Sequence, residues 1–290
     1  MKSSHLFLVV LASSTALLHG CVLGDAENTF DAEDFDVGLE TTGWGGQDPP
    51  QGLNGYGPPC FWDSGSQQAL RDLGKVALTS GANGNLPALP TLLATCREVL
   101  KNAVECALNP SQSVIDPVNG LTYQGHWGLA DEWFYGGLAA DGKRWVTACL
   151  VQRLNVLGAH VDILLEGNHP RIVENLANDA TYDFEESSAY GNLFDSRTPI
   201  VPGRPAFSAY VCSELEQIQQ CPAGGGKPWI DHRICDQAGN SCGLVYLGAC
   251  QTACVPNGPA SEYWSCKPSG AIVYNPHTIR VQLMDPTSCF

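Results

Sequence analysis

Basic residues are scarce in this chain of 290. Its 15 Lys and Arg stand against 30 Asp and Glu, a formal net charge of −15, and no basic patch interrupts the acidity. A nucleic-acid partner is excluded on that ground, because nothing would neutralise the phosphates. Long apolar runs are missing too. The stretch from Leu6 to Leu18 has 13 positions, short of the about 20 that cross ~30 Å of hydrocarbon. HExxH does not occur, so there is no helix with two zinc-ligating histidines on one face. Nor is there a repeat of fixed period, which argues against solenoids.

Cysteine, by contrast, is plentiful, with 13 in the chain. The first closes the stretch "ALLHGC". Met1 and Lys2, the apolar run and Gly20 follow the charged, apolar, small order of a secretory signal. Leu18-His19-Gly20-Cys21 resembles the lipobox of bacterial lipoproteins, with His19 in place of the usual small or aliphatic residue. The expectation is a signal peptide over 1–20 and a lipidated Cys21. Twelve cysteines then remain: Cys60, Cys96, Cys106, Cys149, Cys212, Cys221, Cys235, Cys242, Cys250, Cys254, Cys266 and Cys289. An even count in an oxidising compartment predicts six disulfides. The pairing is not legible. If Cys96 and Cys106 share one helix they lie ~15 Å apart along its axis, too far to bridge each other.

Between Asp25 and Asp48 there are 8 carboxylates and no Lys or Arg. Like charges mixed with Gly and Pro, without a period of 2 or 3.6, predict a self-repelling, disordered tether over 21–58. Asp31, Glu33, Asp34 and Asp36 lack the spacing of a calcium loop. A single disulfide-rich globular domain is expected over 59–290. Apolar periodicity predicts helices from Ser66 to Leu78 and from Thr91 to Leu108, and a third is expected from Lys143 onward, with Asp141 as its cap and Gly158 as its stop. "AHVDILLEG" alternates like a half-buried strand, and "FSAYVC" and "WIDHRIC" end as strands on cysteines. The fold class is α+β: N-terminal helices plus short strands, with a loop-rich, disulfide-stapled C-terminal part.

The densest group of chemically able residues is "GHWGLADEWFYGG". His126, Trp127, Asp131, Glu132 and Trp133, with Phe134 and Tyr135, fall within ten positions. Aromatic faces beside carboxylates suit sugar stacking and acid/base work, although the same aromatics equally suit the edge of a core. A strand-borne metal site from His160, Asp162, Glu166 and His169 competes with a plain outward strand face. A zinc site from His232, Cys235, Cys250 and Cys254 competes with disulfides, which the even cysteine count favours. No metal, cofactor or catalytic residue is expected.

The segments "ECALNPSQSV", "GHWGLADEW", "RWVTACLVQRLNVLGAHVDILLEG" and "SAYGNLF", with the spacings of "HRIC", "GAC" and "CQTAC", resemble a group of cysteine-rich secreted lipoproteins from myxobacterial-type bacteria. The resemblance spans roughly Cys96 to Cys266. It implies a common fold and export, and no activity. The function expected is a non-catalytic cell-envelope lipoprotein, a disulfide-stabilised binding or structural module, in the membrane through its lipid anchor, with an envelope component or glycan as partner. Val22 is not the aspartate that retains lipoproteins on the inner membrane, so the expected place is the outer membrane, at its periplasmic or cell-surface face. The alternative is a secreted hydrolase of polysaccharide or peptidoglycan using Asp131 or Glu132, with Glu166, Glu185 or Glu186 as second carboxylate and Trp127 and Trp133 as platform.

Overall fold

Asp63 starts the first helix by accepting the Ser66 N–H at 2.7 Å, a side-chain cap on an otherwise unpaired donor. In the computed structural model of the chain, residues 63–154, 163–172, 182–195, 208–215, 244–257, 263–268 and 271–283 are described. The signal and tether, Cys21, Cys60, Cys221, Cys235, Cys242, Cys289, His160, Asp162, His232 and the "WIDHRIC" strand lie outside them.

Helix α1 is Ser64–Leu73. It stops five residues before the periodicity does, at Gly74, whose N–H closes on Leu70. Trp133 Nε1 then takes the freed carbonyls of Leu73 and Val76, at 3.2 Å each. Helix α2, Arg97–Ala107, also begins later than expected. The Leu93 N–H donates to Ser66 Oγ at 3.1 Å, and a short 3-10 turn, Ala94–Cys96, leads into the helix. Tying Leu93 to α1 holds it extended, so the helix cannot start at Thr91. Helix α3 is Ala140–Arg153. Asp141 lies in its first turn rather than capping it, and the helix ends at Arg153 instead of continuing to Gly158.

A hairpin that apolar patterning does not announce, β1 (Ser113–Ile115) with β2 (Thr122–Gln124), comes after α2. Gly120 sits in its turn at φ +74°, in the left-handed region. Asp116 fixes the hairpin to α2, pairing with Arg97 and accepting from Tyr123 Oη at 2.8 Å.

The main sheet contains β3 (Ile163–Gly167), β4 (Phe184–Asn192), β5 (Ser208–Ser213), β6 (Leu244–Ala249) and β9 (Ile279–Leu283), in the order β3-β9-β4-β5-β6. All neighbours run antiparallel except β5 and β6. One face carries Ile163, Leu165, Ala189, Val211, Ile279 and Val281, and α3 packs on it. Full burial of each such aliphatic side chain contributes ~1.5–3 kcal/mol. From Trp145 to Arg153 every residue of α3 is buried, since the sheet covers one side and α2 the other. Gln152 crosses that interface, donating to Ser187 O at 3.1 Å and Ile279 O at 2.8 Å and accepting from Ser187 Oγ at 2.9 Å.

β3 is buried at all five positions, a correction to the half-buried strand expected from its alternation. On its second face Glu166 is held by Arg280, its cross-strand neighbour on β9.

The short helix α4 (Cys250–Ala253) and the ribbon β7 (Cys254–Asn257) with β8 (Tyr263–Cys266) complete the C-terminal layer. Bridges join Cys106 to Cys149, Cys212 to Cys250 and Cys254 to Cys266, and Cys96 is disulfide-bonded as well. The first staples α2 to α3, so Cys106 is not bridged to Cys96. The other two close the layer around Tyr190 and Tyr210, whose rings stack at 4.9 Å. The fold is α+β with a disulfide-stapled C-terminal part.

Candidate ligand-binding groove

The last carbonyls of a helix need partners from outside it. At the C-terminus of α2 they are met by the segment after β2. His126 and Trp127 N–H donate to Glu105 O, Leu129 N–H to Cys106 O, Ala130 N–H to Ala107 O and Gly128 N–H to Leu108 O. Gly128 adopts φ +66° to make this run possible, and a Cβ there would press on Asn109 Cβ at 3.2 Å. The effect is to lay the 3-10 turn Asp131–Phe134 beside Asn109.

Asn109 ties that turn to the loop leaving α2. Its Nδ2 donates to Gln112 Oε1 at 3.0 Å and to Asp131 Oδ2 at 3.3 Å, and its Oδ1 accepts from Ser111 Oγ and N. Gln112 Nε2 reaches Asp131 O at 3.2 Å. The result is an open groove of about 510 Å³ lined by Asn109, Ser111, Gln112, Asp131, Glu132, Phe134 and Tyr135. Tyr135 is 78% exposed and meets Phe134 edge-on, with ring centroids 4.8 Å apart. The side chains that form the floor are locked by one another, so little ordering remains to be done on binding.

Asp131 and Glu132 line this groove together with Phe134 and Tyr135, but Trp133, Trp127 and His126 separate from it. Trp133 is completely buried, with its indole N–H spent on α1 and its ring against Phe194 at 5.4 Å. It anchors the core and cannot stack on a ligand, which corrects its candidacy. Trp127 is partly buried against the core, and His126 lies edge-on to it at 5.0 Å, exposed but outside the lining. Tyr135, which no feature of the sequence favours over its aromatic neighbours, is the ring left facing solvent.

Glu132 is exposed, and its Oε1 sits over the first turn of α3: a Cβ on Gly142 would lie 2.7 Å from it. The positive end of a helix attracts a carboxylate there. The carboxylates suggested as a hydrolytic counterpart are engaged or buried elsewhere. Arg280 holds both Glu166 and Glu185, and Glu186 is 2% exposed.

Next to the groove, Arg171 Nη2 stands 3.8 Å from Asp131 Oδ2. Beyond it, Trp145 is flanked edge-on by His169 at 5.1 Å and His277 at 5.0 Å, and His277 Nε2 is 3.1 Å from Asp141. Burial pushes both imidazoles below their usual pKa. His169 therefore has an aromatic and a histidine for company. Glu166, considered beside it as a metal ligand, is in the Arg280 pair.

Among the described residues, one group of side chains has metal-ligand spacing: Cys212, Cys250 and Cys254. All three sulfurs are committed to disulfides, which leaves no thiolate to bind zinc. Comparisons with protein-family models, curated proteins and solved structures find no match to this chain.

Proposed function

We propose that the chain is a non-catalytic envelope lipoprotein whose stapled domain binds a glycan in the Asn109–Tyr135 groove. The observation that carries this reading is the groove itself: amides and carboxylates fixed in place beside one exposed tyrosine ring. Hydroxyl-rich rings are met by such surfaces through hydrogen bonds to their edges and stacking on their faces. Hydrolysis would need two carboxyl groups facing each other across ~5–9.5 Å. Asp131 and Glu132 are neighbours on one wall, while Glu166 and Glu185 are tied to Arg280.

The anchor in this proposal rests on the order of residues from Met1 to Cys21, and the acidic stretch after it would act as a spacer. Among the described residues no helix is long and apolar enough to cross a membrane.

Calorimetric titration with soluble peptidoglycan fragments and neutral oligosaccharides tests the reading. Binding by the wild type that falls at least ~10-fold in Tyr135→Ala, a loss of ~1.4 kcal/mol, and in Asn109→Ala supports it. Turnover of any of these glycans that disappears in Glu132→Gln would replace it with the hydrolase.

A further inference from the structure

Four of the buried cysteines form one sulfur cluster. Cys212 on β5 is bridged to Cys250 at the start of α4. Cys254, one helical turn after Cys250, is bridged to Cys266, directly opposite it across the β7–β8 ribbon. The two bridges touch. Cys212 Sγ is 3.7 Å from Cys254 Sγ, and the sulfurs of Cys212, Cys250 and Cys254 all lie within 4.8 Å of one another. A purely structural staple needs no such contact: Cys106–Cys149, between α2 and α3, provides its constraint within the core of helices and sheet.

Disulfides exchange when a thiolate attacks a neighbouring disulfide sulfur in line with the bond that breaks, and holding the sulfurs close lowers the entropic barrier. With the three sulfurs within 4.8 Å of one another the resting approach is oblique, so the attacking cysteine, once released from its own bridge, turns about its Cα–Cβ bond to come into line. We propose that Cys212, Cys250, Cys254 and Cys266 constitute a disulfide-exchange centre in which Cys212 changes partner from Cys250 to Cys254 when an external dithiol supplies two electrons. The dithiol opens Cys254–Cys266, becoming a disulfide itself and leaving two thiols. Cys254 gives its proton to solvent and its thiolate attacks Cys212 Sγ. The Cys212–Cys254 bond forms as Cys212–Cys250 breaks, and Cys250 departs as a thiolate that takes up a proton.

Opening the other bridge first leads to the same product. Cys212 is then the thiolate, it attacks Cys254 Sγ, and Cys266 departs. Either route ends with one Cys212–Cys254 disulfide and thiols at Cys250 and Cys266. The centre thereby stores one oxidised pair across β5 and the ribbon while releasing both outer cysteines. Its partner class is a protein or small molecule carrying two vicinal thiols.

The test is partial reduction of the full-length protein. A limiting amount of dithiothreitol is added, the reaction is stopped with acid, free thiols are blocked with N-ethylmaleimide, and peptides are mapped by fragmentation mass spectrometry. The expected principal species with two blocked thiols among these four cysteines carries the label on Cys250 and Cys266 and a Cys212–Cys254 cross-link. Label on Cys254 and Cys266 with Cys212–Cys250 intact, or the converse, would overturn the proposal. Cys266→Ser gives a second measurement without reductant. Its unreduced form is expected to contain both Cys212–Cys250 and Cys212–Cys254, and a single Cys212–Cys250 population counts against exchange.

Discussion

Arg280 on β9 grips Glu166 on β3 with two nitrogens, Nε at 3.0 Å and Nη2 at 2.6 Å from the same Oε2, although 114 residues separate them. Its third nitrogen, Nη1, reaches Glu185 on β4 at 2.7 Å. One guanidinium thus ties the sheet's first strand to its third across β9, and only 1% of Glu166 is exposed.

Removing one partner of a buried pair strands the other charge. Arg280→Met is expected to cost ~3–5 kcal/mol of unfolding free energy, and Glu166→Leu combined with Arg280→Met to cost less than the single change. Urea unfolding of the wild type, the Arg280→Met and Glu166→Leu single variants and the double variant measures this. Strictly additive losses would mean that the pair is not coupled.

Trp133 and Tyr135, two positions apart, should behave oppositely. Trp133→Ala is expected to lose ~3–5 kcal/mol because it leaves a cavity at the junction of α1 and the 3-10 turn. It also removes the indole donor from the Leu73 and Val76 carbonyls, of which the first keeps the Val76 N–H. Tyr135→Ala should stay within ~0.5 kcal/mol of wild type in stability. Equal destabilisation by the two changes in a denaturation series would contradict the burial described for them.

His169 and His277 make stability depend on pH in a defined direction. Burial against Trp145 lowers both pKa values, with Asp141 partly opposing this at His277. The unfolded chain therefore binds these protons more readily. Their contribution is present above the unfolded value near 6.5 and is lost as pH falls through the lower folded values. Between pH 7.5 and 5.5 the urea midpoint should fall, and the double change His169→Gln, His277→Gln should reduce that fall. Parallel pH curves for the two proteins would count against the assignment.

The anchor is expected at Cys21. Cys21→Ser should move the protein from the membrane to the soluble fraction, since stable attachment requires more than one buried acyl chain at ~0.8 kcal/mol per CH₂. Mass analysis of the mature N-terminal peptide checks it directly, and an unmodified Cys21 thiol there would refute the lipoprotein proposal.

What the sequence determined by itself is local or counted. Apolar residues three and four apart announce α1 and α2, because the period that buries one face of a helix is written within a few residues, whereas α3, buried on every side from Trp145 to Arg153, carries no such period. The abundance of cysteine points to bridges, and the clustering of seven between Cys212 and Cys266 to a stapled C-terminal part. The groove was half legible: "ADEWFY" contains Asp131, Glu132 and Tyr135, while Asn109 and Gln112 carried no signal, being ordinary polar residues until the 126–130 segment folds back on α2. Tertiary structure alone decided the remainder. Which aromatic of Trp133, Phe134 and Tyr135 is buried depends on where the end of α1 lies, and no spacing encodes that. The insertion of β9 between β3 and β4, the choice of Arg280 for Glu166, and the 3.7 Å approach of Cys212 to Cys254 join residues far apart in the chain. Such contacts are selected by how whole layers pack, which is a property of the complete topology and is absent from any window of sequence.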